Sequence, residues 1–166
     1  MCLLLGSISA SVPFALPFEP VRGQILSLDN TQPALRRIVV GEEVYLVPKR
    51  DARVVVGATE DRVGFDRRVT AAGVQRLLAA APRLVPALAD CAFRDAWAGL
   101  RPCTPDGLPM IGRAPGVEGL LVAAGHHRNG VLLSPITGRL IADLVLGKPL
   151  PPEADAFRLE RFFGRP

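Results

Sequence analysis

Cysteine and histidine are both scarce, with three Cys and two His in 166 residues. Cys2, Cys91 and Cys103 are odd in number and form no Cys-x-x-Cys pair, and His126 and His127 are adjacent. That set excludes a zinc site and a disulfide framework, and it points to a reducing, cytoplasmic setting. No uncharged apolar run reaches the length that crosses a bilayer, which excludes a membrane-spanning chain. The apolar start, Met1–Phe18, lacks a basic head and is interrupted by Pro13 and Pro17. It therefore reads as a buried strand and an irregular connection, not as a signal peptide. Charge of one sign does not accumulate either. Twenty Lys+Arg against sixteen Asp+Glu give +4, with pairs such as Arg36-Arg37 and Arg67-Arg68 but no block. A nucleic-acid stripe finds little support, and arginines placed for carboxylate recognition are the more economical reading. At 49% hydrophobic and 22% charged, the chain is a folded one, long enough for one compact domain.

What is present is ordered along the chain. Leu3–Gly6 has the look of a buried strand. Val21–Leu28, Arg37–Val40, Glu43–Val47 and Arg53–Ala58 read as strands of an antiparallel meander, with Gly41-Glu42 as a two-residue hairpin loop. Thr70 caps a helix whose apolar face is Val74, Leu77, Leu78 and Ala81, shortened by Pro82 and Pro86. Ala92–Leu100 returns as a strand into Arg101-Pro102. Leu120–Ala124 resembles a buried parallel strand and runs through Gly125-His126-His127-Arg128-Asn129-Gly130 into a helix. That helix spans Ile136, Leu140, Ile141, Leu144 and Val145 and is stopped by Gly147 and Pro149. The tail from Pro151 is rich in Pro and charge and is expected to pack loosely or to touch a partner.

Three stretches have chemistry to offer. The glycine-bounded loop before the last helix presents backbone N–H groups to an electron-rich group, with Arg128 as a fixed charge and Asn129 as a polar handle. A plain strand-to-helix connection explains it about as well. Trp97-Ala98-Gly99-Leu100-Arg101-Pro102 closes a strand on a guanidinium that proline can hold rigidly, a fork able to bind a carboxylate by two parallel hydrogen bonds, although a strand-end surface arginine is the better account in isolation. Tyr45, the only tyrosine, shares a strand face with Glu43 and Val47 and could cover a small ligand, although cross-strand packing accounts for it in isolation. Thr104–Pro109 is explained by its Pro-Asp-Gly turn. No Ser/His/Asp or Cys/His order points to a catalytic nucleophile or to any other catalytic side chain.

Together, these segments resemble glycine oxidases, of the FAD-dependent D-amino-acid oxidase and sarcosine oxidase superfamily. The resemblance rests on Val21–Gln24, Tyr45–Lys49, Val56–Thr59, Gly64–Asp66, Trp97–Pro109 and Gly125–Gly130, in the family's order, and covers about Leu3 to Phe163. It implies an α+β fold in which an antiparallel substrate-binding domain (21–109) is flanked by strands and a helix of an incomplete Rossmann-like FAD-binding lobe (1–20 and 110–166). It implies that Arg101 grips the substrate carboxylate, that Tyr45 hydrogen-bonds it, and that Arg128 stands beside substrate and flavin. Gly125, His126, Asn129, Gly130 and Val131 would then line the isoalloxazine ring. The reaction implied is oxidation of glycine or a related small amino acid by dioxygen to the imine and hydrogen peroxide, the imine serving the thiazole ring of thiamine. Glu43 stands where the family has an active-site histidine, so its charge is expected to shift substrate preference. Gly-x-Gly-x-x-Gly is missing, because no two of the 16 glycines are two apart. The expectation is thus the C-terminal portion of an oxidase that binds FAD poorly alone. A separate nucleotide-binding chain or self-association would complete it; the alternative is a non-catalytic module that binds small carboxylates.

Overall fold

The computed structural model describes residues 15–30 and 35–163. The expected strand Leu3–Gly6 lies outside the described residues. The chain divides into two compact units: Val21–Leu100 forms one, and the chain on either side of it forms the other.

The Val21–Leu100 unit is built on a five-stranded sheet of order β2-β3-β4-β1-β5. Its strands are β1 (Glu19–Asp29), β2 (Val39–Val40), β3 (Tyr45–Pro48), β4 (Arg53–Gly57) and β5 (Phe93–Cys103). β1 pairs antiparallel with β4, Ile25 opposite Gly57, and lies next to β5, so the expected meander is corrected: the first strand is an interior one, between β4 and β5. The pleat sends Leu26, Leu28, Leu46, Val54 and Val56 to one face. There they meet Leu77, Ala80 and Ala81 of α1 (Ala71–Leu84) and Leu88 of a 3-10 turn. Each such side chain, fully buried, stabilises the fold by about 1.5–3 kcal/mol.

The α1 helix starts as its sequence requires, with the Thr70 hydroxyl accepting from Gly73 N–H at 3.1 Å. Two details differ from the periodicity. Pro82 lies inside the helix, which continues to Leu84, and Leu78 is 38% exposed. The buried stripe is Gly73, Leu77, Ala80 and Ala81. The β2–β3 loop also differs. Val39 pairs with Leu46 and Val40 with Tyr45, so the loop is Gly41–Val44, closed by Gly41 N–H donating to Val44 O at 2.9 Å. Val44 belongs to the core and Leu84 lies over Gly41, and together they widen the turn beyond two residues.

In the other unit, β6 (Met110–Arg113) and β7 (Leu121–Ala124) form an antiparallel hairpin. The parallel-strand expectation for Leu120–Ala124 is corrected by this pairing. Gly116 and Gly119, both left-handed, turn the chain back between them. The hairpin buries both faces. Met110 and Val122 pack with Leu159 and Phe18, while Ile111 packs with Leu140 of α2 (Ser134–Val145) and with Ala154. The tail is therefore part of the core. Its 3-10 turns, Pro152–Phe157 and Leu159–Phe162, bury Ala154 and Leu159, and Arg161 forks onto Asp106 at 2.7 and 3.2 Å.

Candidate functional site

The end of β5 and the loop after β7 come together within one unit. Cys103 forms an antiparallel bridge with His126, and Pro102 O accepts from His127 N–H at 3.1 Å. Arg101 and Arg128 are each the sequence neighbour of one partner in that hydrogen bond. The approach is possible because residue 125 is glycine. Its φ is +81°, and a Cβ there would lie 2.7 Å from Thr104 Cγ2 and 2.9 Å from Phe18 Cε1. Thr104 is itself fixed, donating to Leu108 O at 2.7 Å. Asp106 in the same turn accepts from Arg161 and from Leu108 N–H. The Arg161 hydrogen bond holds the Asp106 carboxyl at about 2.

The loop itself is internally bonded. His126 Nε2 lies 2.9 Å from Thr137 Oγ1, and burial pushes the imidazole below its ordinary pKa, so it is neutral at pH 7. His127 adopts a left-handed φ of 49°. Asn129 N–H donates to His126 O and Asn129 O accepts from Leu133 N–H, which leads into α2. A Cβ at position 130 would meet His126 Cβ at 3.6 Å, an ordinary contact distance. Arg128 and Asn129 are exposed, and Arg128 makes no ion pair with any described residue. Val131 and Leu132 are 87% and 77% exposed, and the head of α2 has no side-chain cap. An exposed apolar step and an outward guanidinium beside a helix N-terminus suit a flat ring with electron-rich edges, such as the isoalloxazine end of FAD. The diphosphate end has no matching glycine fingerprint in this chain.

Tyr45 lies in the sheet unit. It sits opposite Gly57 on β4, where its phenol covers the glycine so closely that a Cβ would overlap it. Leu46 faces the α1 core, so Tyr45 is on the other face of the sheet, and Ala96 on that core places Trp97 and Gly99 with Tyr45. Glu43 is not on this strand. It sits in the hairpin loop and pairs with Arg83 of α1 at 2.9 Å, both side chains 64% exposed.

A buried polar cluster went unread in the sequence. Gln24 donates to Asp61 at 2.8 Å and accepts from Thr70 N–H at 2.7 Å, and a Cβ at Gly73 would overlap its amide. Asp61 also accepts from Thr59 and Arg76, and Arg22, 5% exposed, reaches Asp61 and Asp66. Burial pushes the Asp61 carboxyl up, but donors from Gln24, Arg76 and Thr59 outweigh it and hold the group at about 2. The only signal was a pair of acids, Asp61 and Asp66, downstream of a β-strand Arg and Gln. No His/Cys/Asp/Glu cluster suited to a metal occurs among the described residues, and no described helix is long and apolar enough to cross a membrane.

Comparison with known proteins bears on both units. The model of the FAD-dependent oxidoreductase (DAO) family matches residues 3–144. The bifunctional protein ThiO/ThiG of Synechocystis sp. is 46% identical over 152 residues, covering 89% of this chain and 23% of that protein. Glycine oxidase of Geobacillus kaustophilus is 43% identical over 159 residues, 95% of this chain and 42% of that protein. Its crystal structure matches with a TM-score of 0.86 over 94% of this chain. Iminodiacetate oxidase of Chelativorans sp. matches at 32% identity with a TM-score of 0.82, covering 92% of this chain and 42% of that one. The chain thus spans well under half the length of these relatives. With most of its length matched by the family model, the chain belongs to the FAD-dependent oxidoreductases of the DAO family.

Proposed function

We propose that this chain furnishes the substrate-gripping and ring-facing part of an oxidase that converts glycine, or a similarly small amino acid, to its imine with release of hydrogen peroxide. In this reading the sheet domain, 21–109, binds substrate, and 1–20 with 110–166 belongs to the flavin lobe. The supporting observation is the hydrogen bond between Pro102 O and His127 N–H, which ties the strand end bearing Arg101 to the loop bearing Arg128.

FAD, when bound, supplies the acceptor for the hydride that leaves the substrate α-carbon. The chain's own groups do the positioning. Arg101 forks onto the carboxylate and fixes the α-carbon, and the Tyr45 phenol donates a second hydrogen bond to it. Arg128 adds positive charge beside the ring, and Gly125, His126, Asn129, Gly130 and Val131 line it. A neutral His126 adds no charge of its own, so it orients the loop through Thr137. The substrate amine binds uncharged, and no side chain has to remove a proton from carbon.

A second reading is a module that holds small carboxylates without redox chemistry, and in both readings this chain by itself, which carries no dinucleotide fingerprint, binds FAD weakly. A chimera separates them. This chain replaces the matching segment of Geobacillus kaustophilus glycine oxidase, and flavin absorbance and glycine-dependent peroxide are measured. An active, flavin-loaded chimera whose glycine KM rises roughly 30-fold on Arg101→Ala, and less on Arg101→Lys, supports the oxidase. A flavin-loaded chimera that makes no peroxide yet still binds glycolate supports the module. An unchanged KM in Arg101→Ala removes the carboxylate role from either reading.

A further inference from the structure

Glycine weakens a strand, and inside a sheet it often marks a place where another group comes close. Gly57 ends β4 after Val54-Val55-Val56 and is buried. The group that comes close is the Tyr45 phenol, whose Cζ, Cε2 and Oη crowd the place that a Cβ of residue 57 would take. A strand side chain ordinarily stands upright on its own strand. Here the ring reclines from β3 onto β4, which carries its hydroxyl one strand spacing, about 4.8 Å, into the sheet. Beyond β4 lie β1 and then β5, so the shift is toward the strand that bears Trp97, Gly99 and Arg101. An upright Tyr45 would leave its hydroxyl over β3.

The strand beneath the ring is held on both sides. Gly57 is paired with Tyr45 on β3 and with Ile25 on β1. Two residues further on, Thr59 N–H donates to Gln24 O at 3.1 Å, and Thr59 Oγ1 accepts from Gln24 N–H at 3.0 Å. The phenol is the far end of a half-buried side chain and has no such restraint from the backbone. A methyl group at position 57 would therefore move the ring and leave the strand in place. Restoring an ordinary carbon–carbon contact takes a displacement on the order of 1 Å.

We propose that Gly57 is a positioning residue for substrate binding: the absence of a side chain there holds the Tyr45 hydroxyl over β4, at the place where it donates to the substrate carboxylate. This rests on the oxidase reading, in which Tyr45 makes that hydrogen bond. A hydrogen bond depends steeply on distance and angle, so a shift on the order of 1 Å is enough to lose it. A ring laid over a cross-strand glycine also packs the sheet. A role confined to packing would move stability and leave substrate affinity alone.

Two measurements test it. In the 166-residue chain Tyr45 is the only tyrosine, so its ring signals are assigned by residue type. Proton NMR should show Overhauser contacts from that ring to the Gly57 α-protons, and their absence overturns the proposal. In the chimera described above, Tyr45→Phe, Gly57→Ala and the double variant are then compared. Each single change is expected to raise the glycine KM roughly 10-fold with kcat little altered, and the double variant should be no worse than the larger single effect. If Tyr45→Phe raises KM but Gly57→Ala does not, or if the two effects multiply, the proposal falls and the oxidase reading stands. If Tyr45→Phe leaves KM unchanged, the Tyr45 hydrogen bond falls from the oxidase reading and the proposal goes with it. A Gly57→Ala protein that fails to fold also overturns the proposal, since the strand and not the phenol would then have given way.

Discussion

Asp61→Asn removes one charge from the centre of the sheet unit while keeping its shape, and its cost can be reached by two routes. In the first, the carboxylate accepts from Gln24 at 2.8 Å, Thr59 at 2.9 Å and Arg76 at 2.9 Å, with Arg22 at 3.4 Å. An amide offers only one acceptor oxygen to these donors and turns its NH2 toward some of them. Arg22 retains Asp66 at 3.1 Å, so the loss falls at the lower end of that for breaking a buried pair, about 3 kcal/mol. In the second, its donors hold the carboxyl at about 2 in the fold, against about 3.9 for an ordinary aspartate, which corresponds to about 2 kcal/mol of stability. The folded pKa is the depressed one. This contribution is therefore complete above about pH 4 and disappears as pH falls toward 2. Other carboxylates also lose stability in acid, so the informative quantity is the difference between wild type and variant. That difference is about 3 kcal/mol at pH 7 and narrows by roughly 1.5 kcal/mol by pH 2.5. Trp97, the only tryptophan, lies half-buried on β5 of the same unit, so urea titrations followed by its fluorescence report on this region. A gap that stays constant from pH 7 to pH 2.5, or one below about 0.5 kcal/mol throughout, would falsify the account of Asp61 as a charge held by donors.

Two further substitutions probe the other unit. Gly125→Ala combines a left-handed φ of +81° with overlap onto Thr104 and Phe18, and about 2–4 kcal/mol of stability should be lost. Circular dichroism melts check this, and a melting temperature within 2 °C of wild type would contradict the close approach described. Leu159→Ala empties a fully buried site beneath the hairpin, at about 2–5 kcal/mol. Proteolysis of the tail should then accelerate in step with the lost stability, whereas unchanged cleavage would mean the tail is not part of the core.

Local signals in the sequence were strong where one residue type does one job. Thr70 caps α1, Gly147 ends α2 in a left-handed conformation, and the extents of β1 and β4 follow their apolar runs, while β5 continues three residues past the expected Leu100 to Cys103. The failures share a cause, which is that they depend on residues distant in sequence. β1 takes an interior place because it pairs with β4 and β5, and nothing near residues 19–29 encodes those neighbours. Leu78 has the right spacing for the core, yet Gly73 and Ala80 occupy the stripe because the Gln24 amide and the sheet approach there. The tail looked loose because its charges are conspicuous and 3-10 turns have no 3.6-residue period, while two side chains, Ala154 and Leu159, do the burying.

The candidate site divides in the same way. Arg101, Arg128 and Tyr45 could be picked out by residue type and local context. The tie between the first two runs through a main-chain oxygen and a main-chain N–H, which have no residue-type signature. Glu43 is the instructive case. Alternation put it beside Tyr45, and a carboxylate there would repel an incoming amino-acid carboxylate. In the fold a loop intervenes, and Arg83 of α1 supplies a counter-charge 2.9 Å away. Two exposed partners make a weak bond, worth at most about 1 kcal/mol, but they need not be strong to cancel a field. At physiological ionic strength a compensated surface charge is screened within about 8 Å. Substrate preference should therefore follow the shape of the face that holds Tyr45 and Trp97 more closely than the charge at position 43. Glu43→Gln, introduced into the chimera described above, should leave the glycine KM within about twofold, and a larger change would return the charge at position 43 to the site.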